Sequence, residues 1–161
     1  TMAFNANATN GSVVYVPGTR STQILTADTS ITSDDTLSEE TGLTIKLGKY
    51  ERIAFRYNIF YSTTANADFK YLVDIPAAIT LYRLAATGVD AAGTEISTAP
   101  ITAEGSAIAS AVSGTEGYLG LEGVLENGSA IDSLKFTWAQ NTSHGDATIV
   151  RRGSSVEFIR F

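Results

Sequence analysis

Arg52-Ile53-Ala54-Phe55-Arg56-Tyr57-Asn58-Ile59-Phe60-Tyr61 is the stretch on which the fold turns. Ile53, Phe55, Tyr57, Ile59 and Tyr61 occupy every second position, with Ala54, Arg56, Asn58 and Phe60 between them. Side chains alternate across a strand, so the first set shares one face and the second set the other. The same period recurs on both sides. Leu43, Ile45 and Leu47 bracket Thr44 and Lys46, and Leu134, Phe136 and Trp138 bracket Lys135 and Thr137. Shorter apolar runs follow at 69–73, 79–84, 118–125 and 156–161. Gly, Asn and Asp signals separate them, at Thr41-Gly42, Gly48-Lys49, Asn66-Ala67-Asp68, Asn127-Gly128 and His144-Gly145-Asp146. Roughly eight to ten short strands at regular spacing, without a strand–helix–strand rhythm, predict an all-β sandwich or barrel.

The chain has 161 residues, which suits a single domain of roughly 100–200 residues. Residues 1–20 differ from the rest. They are rich in Asn, Ala, Thr and Gly and carry Phe4 and one apolar patch, Val13-Val14-Tyr15-Val16, closed by Pro17-Gly18. This reads as an extended N-terminal arm carrying one short strand, with a frayed terminus as the alternative, ahead of a β domain over 21–161. Gly120 and Gly123 inside an apolar run point to bulges or to close backbone approach. The stretch 87–113 is poor in bulky apolar residues and is expected to form long loops at one end of the domain.

Chemistry is hard to find. There is no cysteine, which removes thiol catalysis, thiolate metal sites and disulfides. The single histidine lies in Ser143-His144-Gly145-Asp146. A catalytic triad draws its members from separate elements, so these neighbours read as a solvated turn. Asp34-Asp35 and Glu39-Glu40 could offer oxygens to a hard cation. They lack the alternating ligands and Gly turn of a calcium loop, and read as a solvated acidic stretch. Phosphate-binding Gly loops, zinc spacing and nucleophile elbows are missing. No catalytic residue, metal or cofactor is therefore expected, and the chain does not read as an enzyme. The net charge of −6 disfavours nucleic acid. No run reaches the roughly 20 apolar residues of a membrane helix, and no membrane partner is expected. Tyr50, Tyr57, Tyr61, Tyr71, Tyr82 and Tyr118 are spread over many strands, where core filling, interface lining and sugar stacking all compete.

Two segments resemble a recurring family of tailed-phage virion proteins. One runs from Leu43-Thr44-Ile45-Lys46-Leu47 through 53–61 to Ala67-Asp68-Phe69-Lys70-Tyr71. The other is Leu134-Lys135-Phe136-Thr137-Trp138-Ala139-Gln140-Asn141-Thr142-Ser143, followed by Thr148-Ile149-Val150-Arg151-Arg152-Gly153-Ser154-Ser155-Val156. The resemblance covers about residue 30 to the end. It implies a jelly-roll domain, trimeric assembly and a place in the virion as head decoration, head fibre or tail-associated protein. It supplies no catalytic residue.

Physics gives its motif a structural sense. Trp138 would bury its ring, while Gln140 and Asn141 would supply amides where backbone groups leave the ladder. Gly153 would take a positive φ before the last strand. The leading expectation is a capsid decoration (cement) protein, a homotrimer on the outer face of the major capsid protein. Phe4, Val13, Val14, Tyr15 and Val16 would lie along that partner. The competing expectation is a receptor-binding or tail-fibre tip module for host surface glycan.

Overall fold

The computed structural model describes residues 18–89, 95–97, 108–110 and 114–161. Thirteen strands lie among them: β1 (Arg20–Ile24), β2 (Thr29–Ile31), β3 (Ser38–Glu39), β4 (Ile45–Leu47), β5 (Arg52–Thr63), β6 (Phe69–Asp74), β7 (Ile79–Val89), β8 (Glu95–Ser97), β9 (Ile108–Ser110), β10 (Gly114–Asn127), β11 (Asp132–Ala139), β12 (Thr148–Val150) and β13 (Ser155–Arg160). One short 3-10 turn, Thr41–Leu43, is the only helical element among the described residues.

The strands form two antiparallel sheets, one of eight strands and one of five. β1 and β2, β3 and β4, and β12 and β13 are each two pieces of one interrupted strand, since each pair shares a neighbour or a neighbouring pair. With those joined, the large sheet runs β1/β2, β12/β13, β5, β10, and the small one β3/β4, β11, β6, β9. This is the eight-stranded jelly roll, a double-sheet answer to exposed strand edges. The β7–β8 hairpin extends the large sheet beyond β10. The pairings are nested: β7 with β8, β6 with β9, β5 with β10, β3 and β4 with β11, β2 with β12 and β1 with β13.

The alternation read from β5 is realised, with Ile53, Phe55, Tyr57, Ile59 and Tyr61 all buried. They meet the inward faces of β6 and β11. Tyr61 stacks on Phe69 with ring centroids 4.3 Å apart, and Tyr57 meets Phe136 at 5.8 Å. The two sheets are thus joined largely through aromatic rings, which bury much apolar area per residue.

One expectation changes, and one open alternative is decided. The stretch 87–113 is not simply loop: it holds the end of β7, all of β8 and all of β9. Main-chain pairing needs no bulky side chain, and Thr87 sits opposite Ser97. The glycines of β10 mark close approach, because the ladder to β5 runs without a shift from Gly117 to Glu126. A Cβ on Gly123 would come within 2.6 Å of the Phe55 ring, and one on Gly117 within 2.7 Å of the Tyr61 ring. The glycines leave room for rings from the neighbouring strand.

Candidate interaction surface

The motif residues gather around two seams. At one end of the sandwich the connections 32–37, 64–68 and 140–147 lie together. Gln140 is fully buried. Its Oε1 accepts from the main-chain N–H of Asp34 (3.3 Å) and of His144 (3.0 Å), and its Nε2 donates to the Asp146 carbonyl (2.6 Å). One amide therefore pins two loops. Asn141 acts differently from the expectation: its main-chain N–H, not its amide, donates to the Ala67 carbonyl at 3.0 Å. The turn already supplies that bond, so the side chain is left half-exposed.

Trp138 is buried and its indole N–H donates to Glu40 Oε2 at 3.4 Å. Glu40 also accepts from the Thr29 hydroxyl at 2.6 Å and is only 6% exposed. The solvated reading of Glu39-Glu40 thus fails for Glu40, whose carboxylate closes the core between β2 and β11. His144 Nδ1 accepts from the Asp146 N–H at 3.1 Å within its turn. Asp34 accepts from the Thr36 N–H, which lowers its pKa.

The second seam joins β12 to β13, which pair with the same strand, β5. Gly153 has φ +91°, a left-handed value that glycine adopts without strain. Its kink interrupts the ladder at Phe60, whose carbonyl still accepts from the Arg151 N–H at 2.8 Å while its N–H finds no main-chain acceptor. Ser154, fully buried, fills the gap: the Phe60 N–H donates to Ser154 Oγ at 3.0 Å, and that hydroxyl donates to the Phe60 carbonyl at 3.2 Å. Thr148, also fully buried, donates to the Asp68 carbonyl at 3.0 Å. Nearby, Asp28 accepts from the Arg152 N–H and the Arg151 guanidinium, which together hold its carboxyl below the ordinary range.

Among the described residues no three of His, Cys, Asp or Glu are grouped to hold a metal ion. What the surface offers is shape. Cross-strand ion pairs cover the outer face of the large sheet: Arg20–Glu157 at 3.4 Å, Arg56–Glu122 at 3.1 Å and Arg52–Glu126. The Arg52 guanidinium, with the Thr80 hydroxyl, lowers the Glu126 pKa. Between them an open depression of about 600 Å³ is lined by Ala54, Ala85, Val124 and Arg83 among others.

The end opposite the Gln140 seam carries exposed apolar side chains. Tyr50 is 70% exposed and Ile131 is 76% exposed. They sit on the turn between β4 and β5 and on the turn between β10 and β11, which Asn127 ties together. Its amide, fully buried, donates to the carbonyls of Gly48 and Ala130, each at 2.7 Å. The Tyr50 N–H donates to the Gly128 carbonyl and the Asn127 N–H to the Glu51 carbonyl, each at 2.8 Å. The Gly18 N–H donates to the Arg160 carbonyl at 2.7 Å, so the chain enters β1 at this same end. Phe4, Val13, Val14, Tyr15 and Val16 lie outside the described residues.

Comparison with known proteins adds little to this. No protein-family model matches the chain, and no curated protein matches it. Two solved structures of infectious bursal disease virus, from the Gx and Gt strains, are similar at 10% and 9% identity, with TM-scores of 0.19 and 0.20. Each match covers 99% of this chain, but only 44% and 45% of the viral chains. The VP2 protein of the same virus, in derived T=1 particles, is 12% identical with a TM-score of 0.16. At such scores the backbones do not superpose as one arrangement, so the jelly-roll assignment rests on the strand order above.

Proposed function

We propose that this chain is a structural subunit of a tailed-phage virion, a decoration protein that binds the outside of the capsid as a homotrimer and stabilises the head. The observation that carries the reading is where the motif's polar side chains go. Gln140, Thr148 and Ser154 are fully buried and hydrogen-bond to main-chain groups of the chain itself. The residues that resemble the virion family therefore build a framework, and the exterior is what remains for work. That division suits a protein that acts by contact.

On this reading the arm, with Phe4 and Val13-Val14-Tyr15-Val16, lies along neighbouring capsid subunits, where an extended segment can add to a sheet edge. Three arms on one trimer multiply weak contacts through effective concentration. Removal of residues 2–20 is expected to leave a folded trimer by sedimentation that no longer decorates particles. Full occupancy by the truncated protein would refute the role of the arm. Imaging of the intact virion tests the whole reading: many copies spread over the head support it. A few copies at a tail tip, with signal on a glycan array, would replace it with glycan recognition.

A further inference from the structure

Asn127-Gly128 is a dipeptide with chemistry of its own. In a chain without structure, the Gly128 nitrogen loses its proton to a base and attacks Asn127 Cγ. The Cγ–Nδ2 bond breaks, the amide nitrogen leaves as ammonia, and a succinimide ring closes. Water then opens the ring at either carbonyl and leaves aspartate or isoaspartate at position 127. Glycine speeds the attack, because it has no side chain to crowd the nitrogen and its backbone turns freely. The fold opposes this motion at several points. Asn127 is fully buried at the end of β10, and its Nδ2 donates to the Gly48 and Ala130 carbonyls at 2.7 Å each. Ring closure would take the amide off both. The Asn127 N–H is held by the Glu51 carbonyl, and the Gly128 carbonyl by the Tyr50 N–H, each at 2.8 Å. A Cβ on Gly128 would come within 1.8 Å of the Ala78 carbonyl, so the main chain has no room to swing to that side.

The product does not suit the place that the amide leaves. Aspartate puts a second oxygen where Nδ2 was, facing the Gly48 and Ala130 carbonyl oxygens. Asn127 Oδ1 is already buried with no hydrogen-bond partner among the described residues, so nothing there donates to the new carboxylate. A buried carboxylate without donors or a cation is costly, and either takes up a proton or disfavours the fold. Isoaspartate instead adds a methylene to the main chain at a position that stands opposite Ile79 in the ladder to β7. We propose that Asn127-Gly128 is a deamidation site masked by the fold: water reacts there only when the 48–51 and 127–131 turns have separated, and the product bars the chain from refolding at neutral pH. An opening that would otherwise reverse thus becomes a one-way loss. The proposal is independent of the capsid-decoration reading.

For the test, the full chain is held in mildly alkaline buffer, natively and in urea above its unfolding midpoint, and peptide mass spectrometry follows deamidation. Asn10-Gly11, the same dipeptide, reports the rate of an unhindered site in urea. There the two sites are expected to react at similar rates. Natively, position 127 is expected to react at least ~100-fold more slowly than in urea, because a reaction that needs opening follows the population of the opened form. Equal rates at position 127 with and without urea would overturn the masking. The partly reacted urea pool is then refolded at neutral pH, and the folded fraction is expected to be depleted of peptide deamidated at position 127. Its presence there at the same share as in the pool would overturn the bar to refolding. Asn127→Asp separates charge from packing. The neutral acid can still donate to one carbonyl, so the fold raises its pKa above the unfolded value of ~3.9. Its stability is complete below that value and is lost as pH rises from there towards the folded pKa. The melting gap between wild type and variant should therefore widen from pH ~4 to pH ~7, and a gap that stays constant would overturn the account of the product.

Discussion

Replacing Glu51 by Ala tests whether the Tyr50 end is held by charge. Glu51 and Arg160 form an ion pair with side chains only 10% and 8% exposed. The guanidinium also donates to the Lys46 carbonyl at 2.8 Å and lies 4.4 Å from the centre of the Phe158 ring. Arginine does not shed its proton inside a protein, so Glu51→Ala takes away the carboxylate paired with a buried cation. It also leaves the Gly48 N–H without its acceptor. Breaking one side of a buried pair costs about 3–5 kcal/mol, a large share of the roughly 5–15 kcal/mol that holds a domain together. At about 2–4 °C per kcal/mol for a chain of this length, melting should fall by about 6–20 °C. The double replacement Glu51→Gln with Arg160→Met removes both charges and keeps an acceptor for Gly48. Taking out both ions together is often close to neutral, so the double variant should melt well above the single one. Calorimetry at fixed pH and salt measures both. Melting of Glu51→Ala within about 2 °C of wild type, or a double variant less stable than the single, would refute the argument.

Ser154→Ala should cost about 1–3 kcal/mol in urea unfolding, because the Phe60 N–H loses its acceptor; an unchanged midpoint would mean that the seam rests on something else. Tyr57 and Tyr71 each bury a hydroxyl with no hydrogen-bond partner among the described residues. Tyr57→Phe should therefore be neutral or more stable by about 1 kcal/mol, and a clear loss of stability would reveal a partner for that group. Burial raises the Tyr57 pKa and pushes Tyr71 up to about 12. Both phenols stay neutral in the fold, while an unfolded tyrosine ionises near ~10. Their contribution is complete below pH ~10 and is lost as pH climbs from there towards Tyr71's raised value. Absorbance at alkaline pH should show these two phenols ionising only with unfolding; early ionisation of all seven tyrosines would contradict their burial.

The central strand was legible because period-two alternation is a property of local sequence. Ile53 to Tyr61 has one register that puts five large side chains inside. Gln140 and Gly153 could be singled out for a related reason: a strand that ends, or a backbone that kinks, asks for a particular residue type nearby. Glu40 could not be read this way, because its burial depends on Thr29 and Trp138 arriving from β2 and β11. The strands within 87–113 were hidden as well, since β8 and β9 pair through the main chain and small side chains give no periodic signal. The Tyr50 end was the least visible. The Gly48 and Asn127 turns are each plain in the sequence, yet 79 residues separate the two atoms that join them. Only the roll brings them side by side.

The nested pairing bears on how the chain reaches this state. Among the described strands, only β7 and β8 find each other across a short connection, whereas β1 waits for β13 and β2 for β12. Pairing that must close long loops before it is rewarded is slow. On the ribosome the early strands emerge with their eventual neighbours still untranslated, so the small sheet cannot close before β11 is made, nor the large one before β13. Until then β5, whose Ile53, Phe55, Tyr57, Ile59 and Tyr61 belong to the core, is open to whatever it meets. Growth temperature and expression rate should therefore govern the yield of soluble subunit more than small changes in final stability do, as expected for chains that expose strand edges on the way to the native state.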